Sequence, residues 1–398
     1  MDTRAYFARR VEGLRSAMTA AGADLAVIAK PENVFYLSRF NPILNSHPVF
    51  FVVPASGEGA LLVHSLRASH ARKECAVSNV QLYGKWGQNV GLAMDPVDAI
   101  REIVRAGQAA GPKRVAIEES YLSVSLHHRL VQALGAPETT DISAAVDRLK
   151  VVKDELELGL VRKAGVLADR AMETMIDQLG RGASEAETST EGQYAMRRLW
   201  QERFGDEEVS GFGSSEGGIL DALQCWCLTG GRIAYGCDCP TPIVPANGDL
   251  VLPMAWAKIG GYHVESERTL YVDAMDDFKT RVYSAVLAAR ERILGMIGPG
   301  VAFEDLYAAG ARVIEDAGLG EYLPGRMGHG IGLSAHEFPS VQKGNTMRLE
   351  PGMVFTVEPG LMAEPWGGVR HSDTVIVSES GCELATRTDR GMLRIAAR

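Results

Sequence analysis

The chain has 398 residues, more than one compact domain usually holds, and its 46% hydrophobic and 23% charged content excludes a largely disordered protein. Its formal net charge is −9 with no Lys/Arg cluster, which argues against a nucleic-acid partner. The longest apolar runs, such as Pro48 to Ala55, are too short to cross a bilayer, so no membrane partner is expected.

The start, Met1-Asp2-Thr3-Arg4, opens an amphipathic segment without the basic and apolar regions of a signal peptide, and a cytoplasmic location is the expectation. Phe7, Val11, Leu14 and Met18 recur at helical spacing until Gly22. Residues 25–29, 49–53, 59–63 and 115–117 read as strands, and 95–106 and 123–134 as helices. This is a small α/β domain, assigned to residues 1–153. From 154 onward Leu160, Ala164, Leu167, Ala168, Ala171, Met175 and Leu179 share one helical face, which Gly182 ends. Ser184 and Glu187 fit a capping box for a second helix, through Trp200 and Phe204. Strand-rich sequence follows to about 272, then a helix pair near 277–296 and 303–317, then strands to the end. The second domain, 154–398, therefore reads helix–helix–strands twice.

A local echo supports that duplication. Gly248-Asp-Leu-Val-Leu-Pro-Met254 and Gly352-Met-Val-Phe-Thr-Val-Glu358 each run glycine turn, apolar strand, then Met254 or Glu358 at the equivalent point. Six cysteines are present, and Cys225/Cys227 and Cys237/Cys239 have one-residue spacing. Structural zinc sites space their ligands more widely, so these pairs read as small hydrophobes sharing a strand face.

Three segments carry candidate chemistry. Gly328-His329-Gly-Ile-Gly-Leu-Ser-Ala-His336 brings an imidazole close to a ligand through flanking glycines. Val354-Phe-Thr-Val-Glu358 ends an apolar strand on a carboxylate, which is costly unless paired or used. Gly260-Gly-Tyr-His-Val-Glu265-Ser-Glu267-Arg268-Thr269 places two acids on one strand face, with Arg268 as an ion-pair partner in the bland alternative.

Together these segments resemble the pita-bread fold of methionine aminopeptidase, prolidase, aminopeptidase P and creatinase, and Arg148 to Glu155 resembles the signature that opens its catalytic domain. The resemblance implies an α+β protein: a pita-bread catalytic domain of pseudo-two-fold halves behind a creatinase/prolidase-type N-terminal domain. It also implies a homodimer in which the partner's N-terminal domain completes the site. The metallopeptidases of this group use five ligands around two divalent ions. Carried over, those positions are Met254, Glu265, His329, Glu358 and Ser372. A thioether is a poor ligand for hard cations, and Ser372 replaces a bridging carboxylate, so no metal and no other cofactor is expected.

Among metal-free relatives, creatinase shares Glu267-Arg268-Thr269, but its catalytic His before the Gly-Asp turn is missing, where Tyr235-Gly-Cys237-Asp-Cys239 stands. Its substrate-gripping Phe-Gly-Arg segment is replaced by Asn45-Ser46-His47. The resemblance therefore points first to the ectoine hydrolases, which open a cyclic amidine at a C–N bond to give N-acetyl-2,4-diaminobutyrate. The alternatives are a creatinase-like amidinohydrolase on another guanidino acid, a metal-dependent Xaa-Pro peptidase, or a catalytically dead domain that binds peptides or proteins. In the amidine reading, Glu358 and one of Glu265 and Glu267 grip the two N–H groups. The other acid, Glu265 by preference, attacks or activates water. His329 passes the proton. His47, Arg326, Arg370 and His371 are candidates for a substrate carboxylate, and Trp256 and Trp366 for stacking on a small-molecule ring. Met254, Cys237, Tyr262, His336 and Ser372 complete the expected substrate contacts.

Overall fold

The computed structural model describes residues 3–107, 111–212, 222–236 and 238–396. The chain divides into two compact units, Met1–Lys150 with Gly211–Ile219, and Val151–Ser210 with Leu220–Arg398.

The first unit is built on a six-stranded mixed sheet. Its strands lie in the order Val80–Tyr83, Ala60–His64, Phe50–Pro54, Leu25–Ile28, Arg114–Ile117, Glu138–Asp141. Leu25–Ile28 pairs antiparallel on one side and parallel on the other. Val27, Val52, Leu62, Ile100, Val115 and Ile117 form its core, with Ile100 supplied by the helix Pro96–Gly107. Burial of this apolar surface is what stabilises the unit.

The second unit opens with α1 (Glu155–Gly180) and α2 (Glu185–Arg203). Each begins with a capping box, Asp154 with Glu157 and Ser184 with Glu187, satisfying N–H groups that the helix start leaves open. Strands β1 (Leu223–Thr229), β2 (Leu250–Ile259) and β3 (Tyr262–Glu267) follow. Helices α3 (Asp277–Leu294) and α4 (Phe303–Asp316) come next, then β4 (His329–Gly330), β5 (Val354–Val357) and β6 (Ser372–Ser378). Helix pair and strands thus occur twice. In the sheet, β4, β5, β6, β3 and β2 are consecutive neighbours, and β1 pairs with β2. The turn between β2 and β3 is Gly260-Gly261, both at positive φ (54° and 93°), which needs glycine. Val286, Phe303, Phe355, Val357 and Val375 form the core between the helix pair and the sheet.

Two expectations need adjusting. Cys225 and Cys227 do share a buried strand face, but Cys239 is exposed outside any strand. Cys237 lies outside the described residues. No helix among the described residues is long and apolar enough to cross a membrane.

Candidate active site

Sheet register assembles the site. Trp226 of β1 pairs with Met254 of β2, Met254 with Glu267 of β3, and Glu267 with Ser372 of β6. Two residues along, Gln224 pairs with Trp256 and Trp256 with Glu265. Side chains alternate along a strand, so these residues form two adjacent rows on one face. Just before β4, Gly328 (φ 149°) packs its Cα against the Thr356 carbonyl, where a Cβ would collide. That contact sets His329 against Thr356, whose hydroxyl accepts from the His329 N–H at 3.0 Å.

Glu265, His329 and Glu358 converge, with ligand-type atoms all within 4.8 Å of one another. His329 Nδ1 donates to the Gly330 carbonyl at 3.0 Å, which leaves Nε2 as the ring atom facing the acids. Nε2 stands 3.4 Å from Glu358 Oε2 and 3.7 Å from Glu265 Oε2 and has no hydrogen-bond partner, although it is buried. Glu265 is fixed on both oxygens: Ser372 Oγ donates to Oε1 at 2.6 Å and Trp256 Nε1 to Oε2 at 3.0 Å. Burial would raise the Glu265 pKa, but His329, Ser372 and Arg370 together hold it at about 2. Burial would lower His329, yet Glu265 and Glu358 lift it to about 10.

Arg370 enters the same cavity. Its Nη2 donates to Glu267 Oε1 at 2.6 Å and to Met254 Sδ at 3.1 Å, and its Nε lies 3.6 Å from Glu358 Oε1 and against Glu267 Oε2. Burial, with Glu265 and Glu358 nearby, pushes Glu267 above the usual carboxylate range, while Arg370 opposes the shift. The duplicated positions Met254 and Glu358 thus both contact one guanidinium.

The remaining predicted residues are dispersed. His336 is exposed beside the site, its ring 4.3 Å from that of His329, and burial plus the His329 charge lower its pKa. Trp366 packs on Phe278 and Tyr322, with ring centroids 5.4 and 5.8 Å away. The Tyr262 hydroxyl donates to Glu157 at 2.5 Å. His47 belongs to the first unit, its ring 4.4 Å from His64. Arg326 is exposed.

His371 is fully buried and does not reach the acids as a free donor: its Nδ1 accepts from Arg290 Nη1 at 2.7 Å and its Nε2 meets the Tyr283 hydroxyl at 3.2 Å. Arg268 does not pair with Glu265 or Glu267. It donates to Asp373 at 2.5 Å and to the carbonyls of Glu267 and Ser372, each at 2.8 Å. Sequence reasoning missed Trp226, although the Cys-Trp-Cys alternation already set it on the face opposite the cysteines, and missed Asp373, which no local pattern marks.

Comparison with known proteins agrees with this architecture. Residues 159–379 match the model of metallopeptidase family M24, and residues 10–152 match the creatinase/prolidase N-terminal domain. The chain is 27% identical to the Xaa-Pro dipeptidase of Pyrococcus furiosus over 384 residues, 96% of this chain and 99% of the relative. The prolidase structure from Pyrococcus horikoshii superposes with a TM-score of 0.82 at 24% identity, over 97% of this chain and all (100%) of that one. The Xaa-Pro dipeptidase structure from Bacillus anthracis also gives 0.82, at 25% identity, over 98% of this chain and 100% of that one.

These findings overturn the cyclic-amidine expectation. The relatives are named as dipeptidases, so ectoine degradation, a non-peptide C–N hydrolase and metal independence are all set aside. The physical reason lies in the site: losing carboxylates at Met254 and Ser372 does not dismantle Glu265, His329 and Glu358, because Ser372 still holds Glu265 in place. With one family model spanning more than half of its length and a second matching the N-terminal domain, the chain belongs to metallopeptidase family M24.

Proposed function

We propose that this protein is a peptidase for small dipeptides of the Xaa-Pro type, working with a single divalent metal ion. The observation that carries this reading is His329 Nε2: buried, without a hydrogen-bond partner, and aimed between Glu265 and Glu358 while Nδ1 is tied to a backbone carbonyl. A backbone carbonyl on the far nitrogen is the usual way a metal-binding imidazole is oriented. Glu265, His329 and Glu358 would hold the ion, and its chemistry is to polarise the scissile carbonyl and acidify a bound water.

The chain's own groups divide the remaining work. Ser372 and Trp256 keep Glu265 oriented. To act as a ligand, His329 releases the proton that the two glutamates otherwise keep on Nε2. His336, neutral beside it, is placed to take a proton from the attacking water and return it to the leaving nitrogen. Trp226 and Trp256, in edge contact at 5.7 Å, offer an apolar wall for a pyrrolidine ring. A cytoplasmic homodimer accompanies this reading, and gel filtration measures the oligomeric state.

The test is proline release from Xaa-Pro dipeptides by purified protein supplied with Mn²⁺, Co²⁺ or Zn²⁺. Metal-stimulated turnover is expected, with loss on chelation and recovery on re-addition. Absence of turnover with every ion and dipeptide overturns the proposal.

A further inference from the structure

We infer that the Arg370 guanidinium takes the place of a second metal ion, so that the cavity accepts one divalent cation and carries its other positive charge covalently. For the position of the ion, this rests on the peptidase reading.

Two observations converge. The place is filled: Arg370 contacts Glu267 through Nη2 and Nε, Met254 Sδ through Nη2 at 3.1 Å, and lies 3.6 Å from Glu358 Oε1. The pairing is charge-assisted: Nη2 donates to Glu267 Oε1 at 2.6 Å, and Nε stands in ion-pair contact with Oε2. Met254 adds no charge and a soft sulfur, so it does not itself attract a hard dication.

The place is also built. Arg370 is paired with Gly360 across a two-stranded ribbon, Gly360–Ala363 with Gly367–Arg370. A Cβ at Gly360 would stand 2.9 Å from Arg370 Cγ, so glycine leaves room for the Arg370 stem. Thr269 Oγ1 accepts from the Arg370 N–H at 2.8 Å and donates to its carbonyl at 2.9 Å, fixing the backbone from which the side chain turns inward.

The experiment is Mn²⁺ binding by titration calorimetry and electron paramagnetic resonance on the wild type, Arg370→Lys and Arg370→Gln, each checked for folding by circular dichroism. The wild type and Arg370→Lys are expected to bind one ion per chain with the signal of an isolated Mn²⁺. Arg370→Gln removes a like charge beside the ion and is expected to bind it at least about tenfold more tightly. Two coupled ions on the wild type overturn the inference, as does unchanged or weaker affinity in folded Arg370→Gln. Wild-type stoichiometry decides the question even where Arg370→Gln fails to fold. Dipeptide turnover on the same samples separates the two claims. Turnover with two ions bound refutes the role of Arg370 and keeps the peptidase. One ion without turnover does the reverse, and no bound ion overturns both.

Discussion

Strands β3 and β6 carry a cluster of buried charges on each face, and the two clusters differ in kind. On one face, two fully buried arginines, Arg268 and Arg290, share Asp373, with Oδ1 at 2.5 Å and Oδ2 at 3.4 Å, and Arg290 also holds His371. Carbonyls of Glu267, Ser372, Thr388 and Asp389 take further guanidinium hydrogens of Arg268. On the other face three glutamates gather about Arg370 and His329, whose Nε2 makes no hydrogen bond although Glu358 and Glu265 lie 3.4 and 3.7 Å away. The first cluster holds the sheet and the chain end together. The second gathers carboxylates and a buried imidazole nitrogen that makes no hydrogen bond, which is the mark of a site that binds something.

The comparison is broken or sharpened by substitution. Asp373→Ala should have the largest effect, about 3–5 kcal/mol of stability in chemical denaturation, because it strands two buried guanidinium groups. A loss below about 1 kcal/mol would remove the distinction between the faces. Glu265→Gln should act the other way round. Turnover should fall about a thousandfold, equivalent to about 4 kcal/mol of barrier, with the melting temperature little changed. Trp256→Phe deletes one donor to Glu265 and should lower kcat/KM about tenfold, with metal affinity measured alongside to separate orientation from binding.

The smallest effect concerns pH. Burial and the flanking charges of Arg268 and Arg290 hold His371 well below the usual imidazole pKa. The unfolded chain therefore binds a proton that the folded chain refuses. Stability from this group is complete above about pH 6.5 and is lost as pH falls below it. A His371→Gln variant that still folds should flatten the pH 5–7 part of the stability curve. An unchanged slope would place the acid sensitivity elsewhere.

Much of this was legible from sequence where the signal is local. The capping residues Asp154 and Ser184, the helix stop near Gly182 and the alternating strands need only neighbours in the chain to define them. Glu265, His329 and Glu358 were legible because glycine turns and strand ends fix their direction. Arg268 was not, because its partner Asp373 lies 105 residues away and becomes its neighbour only through sheet pairing. Arg370 was read as a substrate ligand, since nothing near it in sequence shows that Glu267 already occupies it. The functional step failed for a related reason. Absent ligands at 254 and 372 are visible in a sequence, whereas the hydroxyl of Ser372 bracing Glu265 is visible only in three dimensions.

The near-repetition of the two halves has a final consequence. Corresponding points of the two halves bring Met254 and Glu358 to one side chain, Arg370, at its Nη2 and Nε. A cradle whose halves matched in chemistry as well as in fold would receive a short peptide in either direction. Here one half supplies a neutral thioether and the other a carboxylate, so in the proposed peptidase the two ends of a guest would meet unlike groups.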